Sequence, residues 1–467
     1  MFVDRQPELA ALDKAYHSDA SSFVVVYGRR RVGKTALIRH FLRRKKAVYF
    51  LATQESENIN RSVFQGHLAA ELKLPYLKDA SNLSWELMFK EIAAASETER
   101  MVIVIDEFQY IGLSNPAFPS LFQKIWDNIL KNSNVMVIIC GSLISLMEKQ
   151  VLNYSSPLYG RRTAQIKVRP ILYSHYQDFY PPGYSQQDLL WRYGITGGIP
   201  RYIELLGQPG PEADLAHFWH TVEREVLSRN APLYEEPYFL LSHEIKELGN
   251  YFSLLKTIAA GNHKLGHIAR SLEVKESKLR HYLNTLINLD IIERIVPVTE
   301  EQPEKSKQSL YRIRDEFIRF WFSFVFPNRS ILEMDRTGEV LEQLRKRYVQ
   351  AHLSYTYETV CLEDITMRSA REYQSCNFNR FGKWWDRQQE IDLVALSDQT
   401  KSILFGECKL SGKPLDTDLY YNLRLKAEQV PWQKGIRDEW YVLYSFFGYT
   451  DQLCQLAESE PRLRLLS

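Results

Sequence analysis

Apolar and polar positions change period several times along this chain, and each change marks off a segment. Phe23-Val24-Val25-Val26-Tyr27 is an unbroken, β-branched run stopped by Gly28, the pattern of a strand covered on both faces. The runs Ala47 to Ala52, Met101 to Asp106, Val135 to Cys140 and Ala164 to Val168 have the same character. Together they predict a five-stranded parallel sheet flanked by helices. From Ile171 to about Glu247 the spacing turns helical and rich in Tyr and Trp, which predicts a small helical lid. Tyr251 to Ala259, His267 to Leu272 and Val274 to Leu289 then read as three helices, the last with Leu279, Tyr282, Leu283, Leu286 and Leu289 on one face. Ile291 to Val296 and Ser309 to Ile313 read as strands joined by a polar, charged loop. Three helices and a two-stranded wing predict a winged helix-turn-helix. Asp315 to Phe322 is a dense aromatic helix, more suited to docking two domains than to stacking on bases. Glu390 to Leu396 and Ser402 to Lys409 read as a hairpin linked by Ser397 to Lys401.

Composition narrows the class. At 467 residues the chain exceeds one core, and at roughly 100–200 residues per domain it divides into two to four. With 45% hydrophobic residues, 21 Gly and 19 Pro, neither disorder nor a collagen-like repeat fits. Lys and Arg number 59 against 57 Asp and Glu, so any polyanion partner must be met by local patches. The N-terminus is charged from Asp4-Arg5 onward with no apolar signal region, and the densest apolar run, Phe317 to Phe326, contains Arg319 and is too short to span a bilayer. These features predict a cytoplasmic protein with no membrane partner. The five cysteines, Cys140, Cys361, Cys376, Cys408 and Cys454, are scattered without a C-x-x-C pair, which predicts reduced thiols and no zinc site.

The first strand runs into Gly28-Arg29-Arg30-Arg31-Val32-Gly33-Lys34-Thr35 and then into Ala36-Leu37-Ile38-Arg39-His40-Phe41-Leu42, which has helical spacing. This is G-x-x-x-x-G-K-T in its strand–loop–helix setting. The glycines let backbone N–H groups curl around a β-phosphate, Lys34 reaches the β and γ oxygens, and the Thr35 hydroxyl binds Mg²⁺. A second strand, Met101 to Asp106, ends in Asp106-Glu107. Asp106 is expected to hold Mg²⁺ through water and Glu107 to orient the attacking water. Ser142, just past the fourth strand, is placed to sense the γ-phosphate. An acidic pair at a strand end is otherwise an ordinary solvated loop; the phosphate loop upstream favours the functional reading.

Phe2-Val3-Asp4-Arg5-Gln6-Pro7-Glu8-Leu9, the phosphate loop, Asp106-Glu107-Phe108-Gln109-Tyr110, Gly141-Ser142, Leu158-Tyr159-Gly160-Arg161-Arg162 and Gly197-Gly198-Ile199-Pro200 resemble the archaeal-type ATPases, a branch of the AAA-like, STAND-related P-loop NTPases. The resemblance covers the first ~240 residues. It implies ATP with Mg²⁺, places Phe2 to Glu8 near the adenine, and suggests Arg161 or Arg162 as an arginine finger, which implies a homo-oligomer if it acts on a neighbour. The competing reading of these arginines is a surface salt bridge. No second sensor arginine is evident, although Arg201 follows the Gly-Gly-Ile-Pro turn.

Lys275, Lys278, Arg280 and His281 open the third of the three helices, where a recognition helix meets phosphates and base edges. The competing reading is a winged helix that only packs against the ATPase. In the C-terminal hairpin, symmetry about the Gln399-Thr400 bond pairs residues whose numbers sum to 799. Asp392 then faces Glu407 and Glu390 faces Lys409, all four on one face. Opposed carboxylates repel, and a divalent metal between them removes the conflict. This Asp…Glu-x-Lys group resembles the PD-(D/E)XK nucleases, and Glu358 on an upstream helix matches the extra acid of many members. The resemblance implies Mg²⁺ on Asp392, Glu407 and Glu358, with Lys409 steadying the attacking water or the developing phosphorane charge. The competing reading is a solvated ion pair of Glu390 with Lys409. Arg380, Phe381, Lys383, Trp384, Trp385 and Arg387 form a basic-aromatic strip able to follow a nucleic-acid strand, though tryptophan pairs are more often core.

The whole chain therefore predicts a multidomain α/β protein, resembling one subset of the archaeal-type ATPases. Its expected parts are a P-loop ATPase core at 1–170, a helical lid at 171–246, a winged helix-turn-helix at 247–325 and a restriction-endonuclease-like α/β domain at 340–467. The expected function is an ATP-hydrolysing, DNA-associated protein with a nuclease-like domain. The alternative is an ATP-driven signalling or interaction switch whose winged helix and inactive nuclease fold bind protein. A small-molecule kinase is disfavoured, because Asp106-Glu107 suits water activation and no acceptor pocket is readable.

Overall fold

The computed structural model describes residues 2–80, 83–207 and 215–467. Part of the expected lid, 208–214, lies outside the described residues. The chain builds two compact units, one from 1–171, 199–204 and 238–246, the other from 172–198, 205–237 and 247–467. Most of the expected lid segment thus belongs to the second unit.

The first unit is a five-stranded sheet of β1 (Ser22–Tyr27), β2 (Ala47–Leu51), β3 (Met101–Asp106), β4 (Val135–Gly141) and β5 (Ala164–Lys167). Their order is β2-β3-β4-β1-β5 and every pairing is parallel, as the apolar runs predict. β1 shows why these strands are apolar at every position. Phe23 and Val25 point into one core with Ile103, Ile105, Val137 and Ile139, while Val24 and Val26 point into the opposite core with Val102, Val104, Met136 and Ile138. Helix α1 (Gln6–Tyr16) contributes Leu12 and α2 (Lys34–Phe41) contributes Leu37 and Ile38 to this second core. The C-terminal ends of β1, β3 and β4 lie side by side, which is where a doubly wound sheet opens its ligand crevice.

In the second unit, α3 (Leu248–Ala259), α4 (Leu265–Ser271) and α5 (Glu276–Asn288) precede an antiparallel pair, β6 (Ile292–Ile295) with β7 (Leu310–Ile313). Leu254, Leu255, Ile258, Ile268, Leu279, Leu283 and Leu286 are buried, the face that the spacing assigned to the interior. The last part is a mixed five-stranded sheet of β8 (Arg380–Trp385), β9 (Glu390–Ser397), β10 (Ser402–Lys409), β11 (Asp438–Ser445) and β12 (Leu463–Leu466). The order is β12-β11-β10-β9-β8, antiparallel through β8, β9 and β10 and parallel through β10, β11 and β12. Helices α6 (Ser354–Glu372) and α7 (Thr417–Ala427) accompany it. In β9 and β10 the paired residues sum to 799, from Ser397 with Ser402 to Leu393 with Gly406, and the ladder ends there, one step before the acids.

Candidate functional site

At the end of β1 the chain turns sharply. Gly28 has φ +147°, and a Cβ at this position would lie 2.4 Å from the Val168 carbonyl oxygen, so no side chain fits. Gly33, at φ 94°, leads into α2 and aims the first amides of that helix at the loop. Lys34 is only 6% exposed and donates to the carbonyls of Gly28 at 2.8 Å and Arg29 at 2.7 Å. Burial lowers its pKa, while neighbouring charges, Glu107 and Asp106 among them, act the other way.

Asp106 ends β3, is 2% exposed, and its Oδ2 accepts from the Thr35 hydroxyl at 3.1 Å and the Tyr49 hydroxyl at 2.5 Å. Its other oxygen accepts the Glu107 N–H at 2.9 Å. Glu107 takes a left-handed conformation, φ 52°, a strained backbone of the kind found at functional sites. Its Oε2 accepts from the Ser142 hydroxyl at 2.8 Å, the Ser142 N–H at 3.2 Å and the Gln109 side-chain amide. Two adjacent acids are therefore held by different partners. Asp106 faces the Thr35 hydroxyl, and Glu107 faces the end of β4. These oxygens and the Lys34 ammonium are the donor set that a Mg-nucleotide needs.

The rest of the loop is tied down by contacts that the motifs do not specify. Arg5 donates to the Val32 carbonyl at 2.9 Å and pairs with Glu8 at 3.1 Å, and Arg30 donates to the Tyr110 hydroxyl at 3.0 Å. Arg5 and Tyr110 each lie inside a quoted motif, so the motifs carried the signal without the role. Phe2 stacks on His40 of α2, ring centroids 4.1 Å apart. Pro200 comes within 3.7 Å of where a Gly33 Cβ would stand, and the Arg31 guanidinium lies over the Tyr202 ring, so the Ile199 to Tyr202 segment rests on the loop. Arg161, the suggested finger, is held by Asp127, with its Nε and terminal nitrogen at 2.8 to 3.1 Å from the carboxylate. Within this chain that is the salt-bridge reading.

The C-terminal acids separate into two groups. The Lys409 ammonium lies 3.0 Å from Asp392 and 2.6 Å from Glu407, and Lys426 of α7 adds a second cation 2.6 Å from Glu407. The Cys408 N–H donates to Asp392 at 3.1 Å. Burial pushes the Asp392 carboxyl up, but Lys409, Lys383 and the Cys408 amide outweigh it and the net direction is down. Burial and the Asp392 charge push Glu407 up, with Lys409 and Lys426 only partly opposing them. Glu358 and Glu390 do not join this group. Both pair with Lys383, and Arg312 of β7 lies 3.8 Å from Glu358 and 3.4 Å from Glu390. Among the described residues no three His, Cys, Asp or Glu side chains gather closely enough to hold a metal ion. The repulsion that the sequence reading relieved with a dication is relieved here by ammonium groups.

The basic-aromatic strip is not an open track. Trp384 and Trp385 are buried, Lys383 pairs with Glu358, and Arg380 donates to the Val298 and Glu300 carbonyls. Arg387 alone of its cations is exposed.

Residues 2–206 match the model of an ATPase domain predominantly from Archaea. Over 432 residues the chain is 36% identical to an uncharacterized protein of Methanocaldococcus jannaschii, covering 91% of this chain and 92% of the other. The chain belongs to the archaeal-type P-loop ATPase family. A second model, described as archaeal and bacterial proteins of unknown function, matches 321–418 and spans Glu358, Asp392, Glu407 and Lys409. An uncharacterized ATP-binding protein of the same organism is 48% identical over 46 residues, 10% of this ATPase and 78% of that protein. Among solved structures, a Walker-type ATPase of Pyrococcus abyssi aligns at 20% identity with a TM-score of 0.47, over 69% of this chain and 96% of that one. The ORC2 protein of Aeropyrum pernix aligns at 15% identity with a TM-score of 0.47, over 71% and 94%. No helix among the described residues is long and apolar enough to cross a membrane.

Proposed function

We propose that this archaeal-type ATPase hydrolyses ATP at Gly28 to Ala36, and that its second unit, a winged helix-turn-helix joined to a nuclease-like domain, engages DNA. The observation that carries the ATPase roles is the division of labour between the adjacent acids: Asp106 sits against the Thr35 hydroxyl, and Glu107 is held away from it by Ser142 and Gln109. The Thr35 hydroxyl and Asp106 are the residues that would hold Mg²⁺, which neutralises charge on the β and γ phosphate oxygens. The Lys34 ammonium exchanges its bonds to the loop carbonyls for phosphate oxygens. Glu107, fixed at both ends, orients the attacking water and takes up its proton. Phosphate release from ATP by the full chain with Mg²⁺ tests this. It should be lost in Lys34→Ala, and equal release in that variant and the wild type would sink the assignment.

For the second unit, the meeting of Asp392, Glu407 and Lys409 supports metal-dependent phosphodiester cleavage, with the two acids as Mg²⁺ ligands and the lysine on the attacked phosphate. A second reading has its own support. Glu358, Glu390, Asp392 and Glu407 already find Arg312, Lys383, Lys409 and Lys426, which is the charge balance of a folded module that binds protein without cutting. Nicking of plasmid DNA with ATP and Mg²⁺ or Mn²⁺, lost in Asp392→Ala, supports the first. A wild type that never nicks supports the interaction switch.

A further inference from the structure

The second unit contains a groove that none of these assignments uses. It is a cavity of about 1200 Å³ walled by α5, by the 304–309 loop between β6 and β7, and by the Trp385 to Gln388 turn between β8 and β9. Its walls form one continuous surface. Just after β6, the Val298 N–H donates to the Lys383 carbonyl at 2.8 Å, and Arg380 donates to the Glu300 carbonyl at 2.9 Å, which binds the base of the loop along β8.

Three features define what fits there. First, among the described residues Lys264, Lys305, Lys307 and Arg387 are exposed on these walls and make no ion pair. Three acids lie alongside: Glu276 is 3.9 Å from Arg280, Asp386 accepts the Gln388 and Gln389 N–H groups that close the turn, and Glu304 is exposed, against six Lys and Arg on the same walls. Second, the groove's aromatic residues cannot serve as stacking platforms, because Trp385 is 7% and Tyr311 5% exposed. Single-strand binders need open aromatic faces. Third, Arg280 and Asn284 stand four residues apart on α5, both on this wall and on one face of the helix. The major groove of B-form DNA admits such a helix, and that of A-form RNA does not.

We infer that this composite groove takes duplex DNA, with α5 in the major groove, Lys305 and Lys307 on phosphates from one side, and Arg387 of the C-terminal sheet on phosphates from the other. The inference rests on the winged-helix reading above and deepens it, since the DNA site is shared with the β8–β9 turn and leads toward the acids. Gln388 of the turn and Asp392 of β9 are four residues apart, at most ~14 Å of chain, or about four base steps at ~3.4 Å. A duplex held by the turn therefore reaches Asp392 and Glu407 within a few base pairs.

The test is fluorescence anisotropy of a labelled duplex with the full chain, titrated at several salt concentrations. Each lost phosphate contact lowers the slope of log K against log salt by about 0.9. Arg387→Gln should lower it by about 0.9, and adding Lys305→Gln and Lys307→Gln should lower it by about 2.7 in total. Lys275→Gln with Lys278→Gln, on α5 and its leading residue but outside the groove, is the companion variant. If that variant weakens binding while the triple variant binds and responds to salt as the wild type does, the groove is overturned and the winged-helix reading stands. A wild type that binds no duplex at low salt overturns both. Tighter binding of single-stranded DNA or of duplex RNA than of duplex DNA overturns the inferred occupant.

Discussion

Replacing Lys409 by Met, which keeps the length and removes the charge, would show whether Asp392 and Glu407 form a metal site or a structural ion pair. Asp392 and Glu407 expose only 12% and 1% of their side chains, and among the described residues Lys409 is the one cation bonded to both. Breaking a buried pair costs roughly 3–5 kcal/mol. Lys409 is 38% exposed, so solvent screening brings the expected loss down to about 2 kcal/mol. For a unit of this size that is a fall in Tm of about 3–4 °C. The pH dependence has a definite sign. The folded-state pKa of Glu407 already lies above its ordinary value, through burial and the Asp392 charge, and removing Lys409 raises it further. The folded variant then holds a proton that the unfolded chain has released, so its deficit grows as pH rises from the ordinary carboxylate range. The Asp392 share of the deficit, from a carboxyl that Lys409 holds down, is already present near pH 5, and the Glu407 share adds to it toward pH 8. A dication between the two acids would replace the missing charge, and at a hundred times its Kd it restores about 2.7 kcal/mol. Thermal melts at both pH values, with and without Mg²⁺ or Mn²⁺, read all of this. A variant that melts like the wild type would show that Lys409 does not hold the acids together. A destabilised variant that no divalent ion rescues would refute the metal reading and leave the interaction switch.

Glu107→Gln should bind a fluorescent ATP analogue as the wild type does and release phosphate about 10²–10³ times more slowly; equal turnover would remove Glu107 from the chemistry. Gly28→Ala should cost about 1–3 kcal/mol in a melt and abolish nucleotide binding, because its Cβ would meet the backbone of Val168 at 2.4 Å from a φ of +147°. Wild-type melting and binding in that variant would contradict the loop geometry. The Glu316 carboxyl is pushed up to about 7 by burial, against the opposing pull of Arg319 and Thr356. Folded protein then holds a proton that the unfolded chain loses, so stability should fall by about 3 kcal/mol between pH 4.5 and 7, a slope that Glu316→Gln flattens; denaturant melts across that range with an unchanged slope would refute it.

The phosphate loop of the candidate site was legible because its residues are contiguous and their backbone demands are extreme. Gly28 and Gly33 can be read as glycines in need of positive φ, and the alternate burial of Phe23 to Tyr27 in two cores follows from an apolar run with no polar face. Tyr49 was not legible. Its hydroxyl reaches Asp106 only because β2 and β3 pair with Leu51 opposite Asp106, a register that the strands' separate patterns do not encode. The Arg161 partner was hidden for the same reason, since Asp127 lies 34 residues away in the chain and nothing in either local pattern points to the other.

The C-terminal hairpin separates what periodicity fixes from what it leaves open. The sum of 799 follows from turn symmetry, and the ladder obeys it through Leu393 and Gly406. Which side chains meet beyond that point depends on where pairing stops, and it stops one residue before Asp392 and Glu407. On the other side of β9 the pairing with β8 shifts between Gly382 and Trp384, which leaves Glu390 opposite Trp385. Freed from the ladder, Asp392 turns to the Cys408 N–H and the Lys409 ammonium, and Glu390 turns to Arg312 and Lys383. Four residues expected on one face thus divide into two charge-neutral groups. The cations that make them neutral come from three places: Arg312 from the β6–β7 hairpin, Lys383 and Lys409 from the sheet, and Lys426 from α7. Only the Glu358 and Glu390 group therefore depends on the hairpin and the sheet folding together, and substitutions at Arg312 should disturb it while leaving the Asp392, Glu407 and Lys409 group in place.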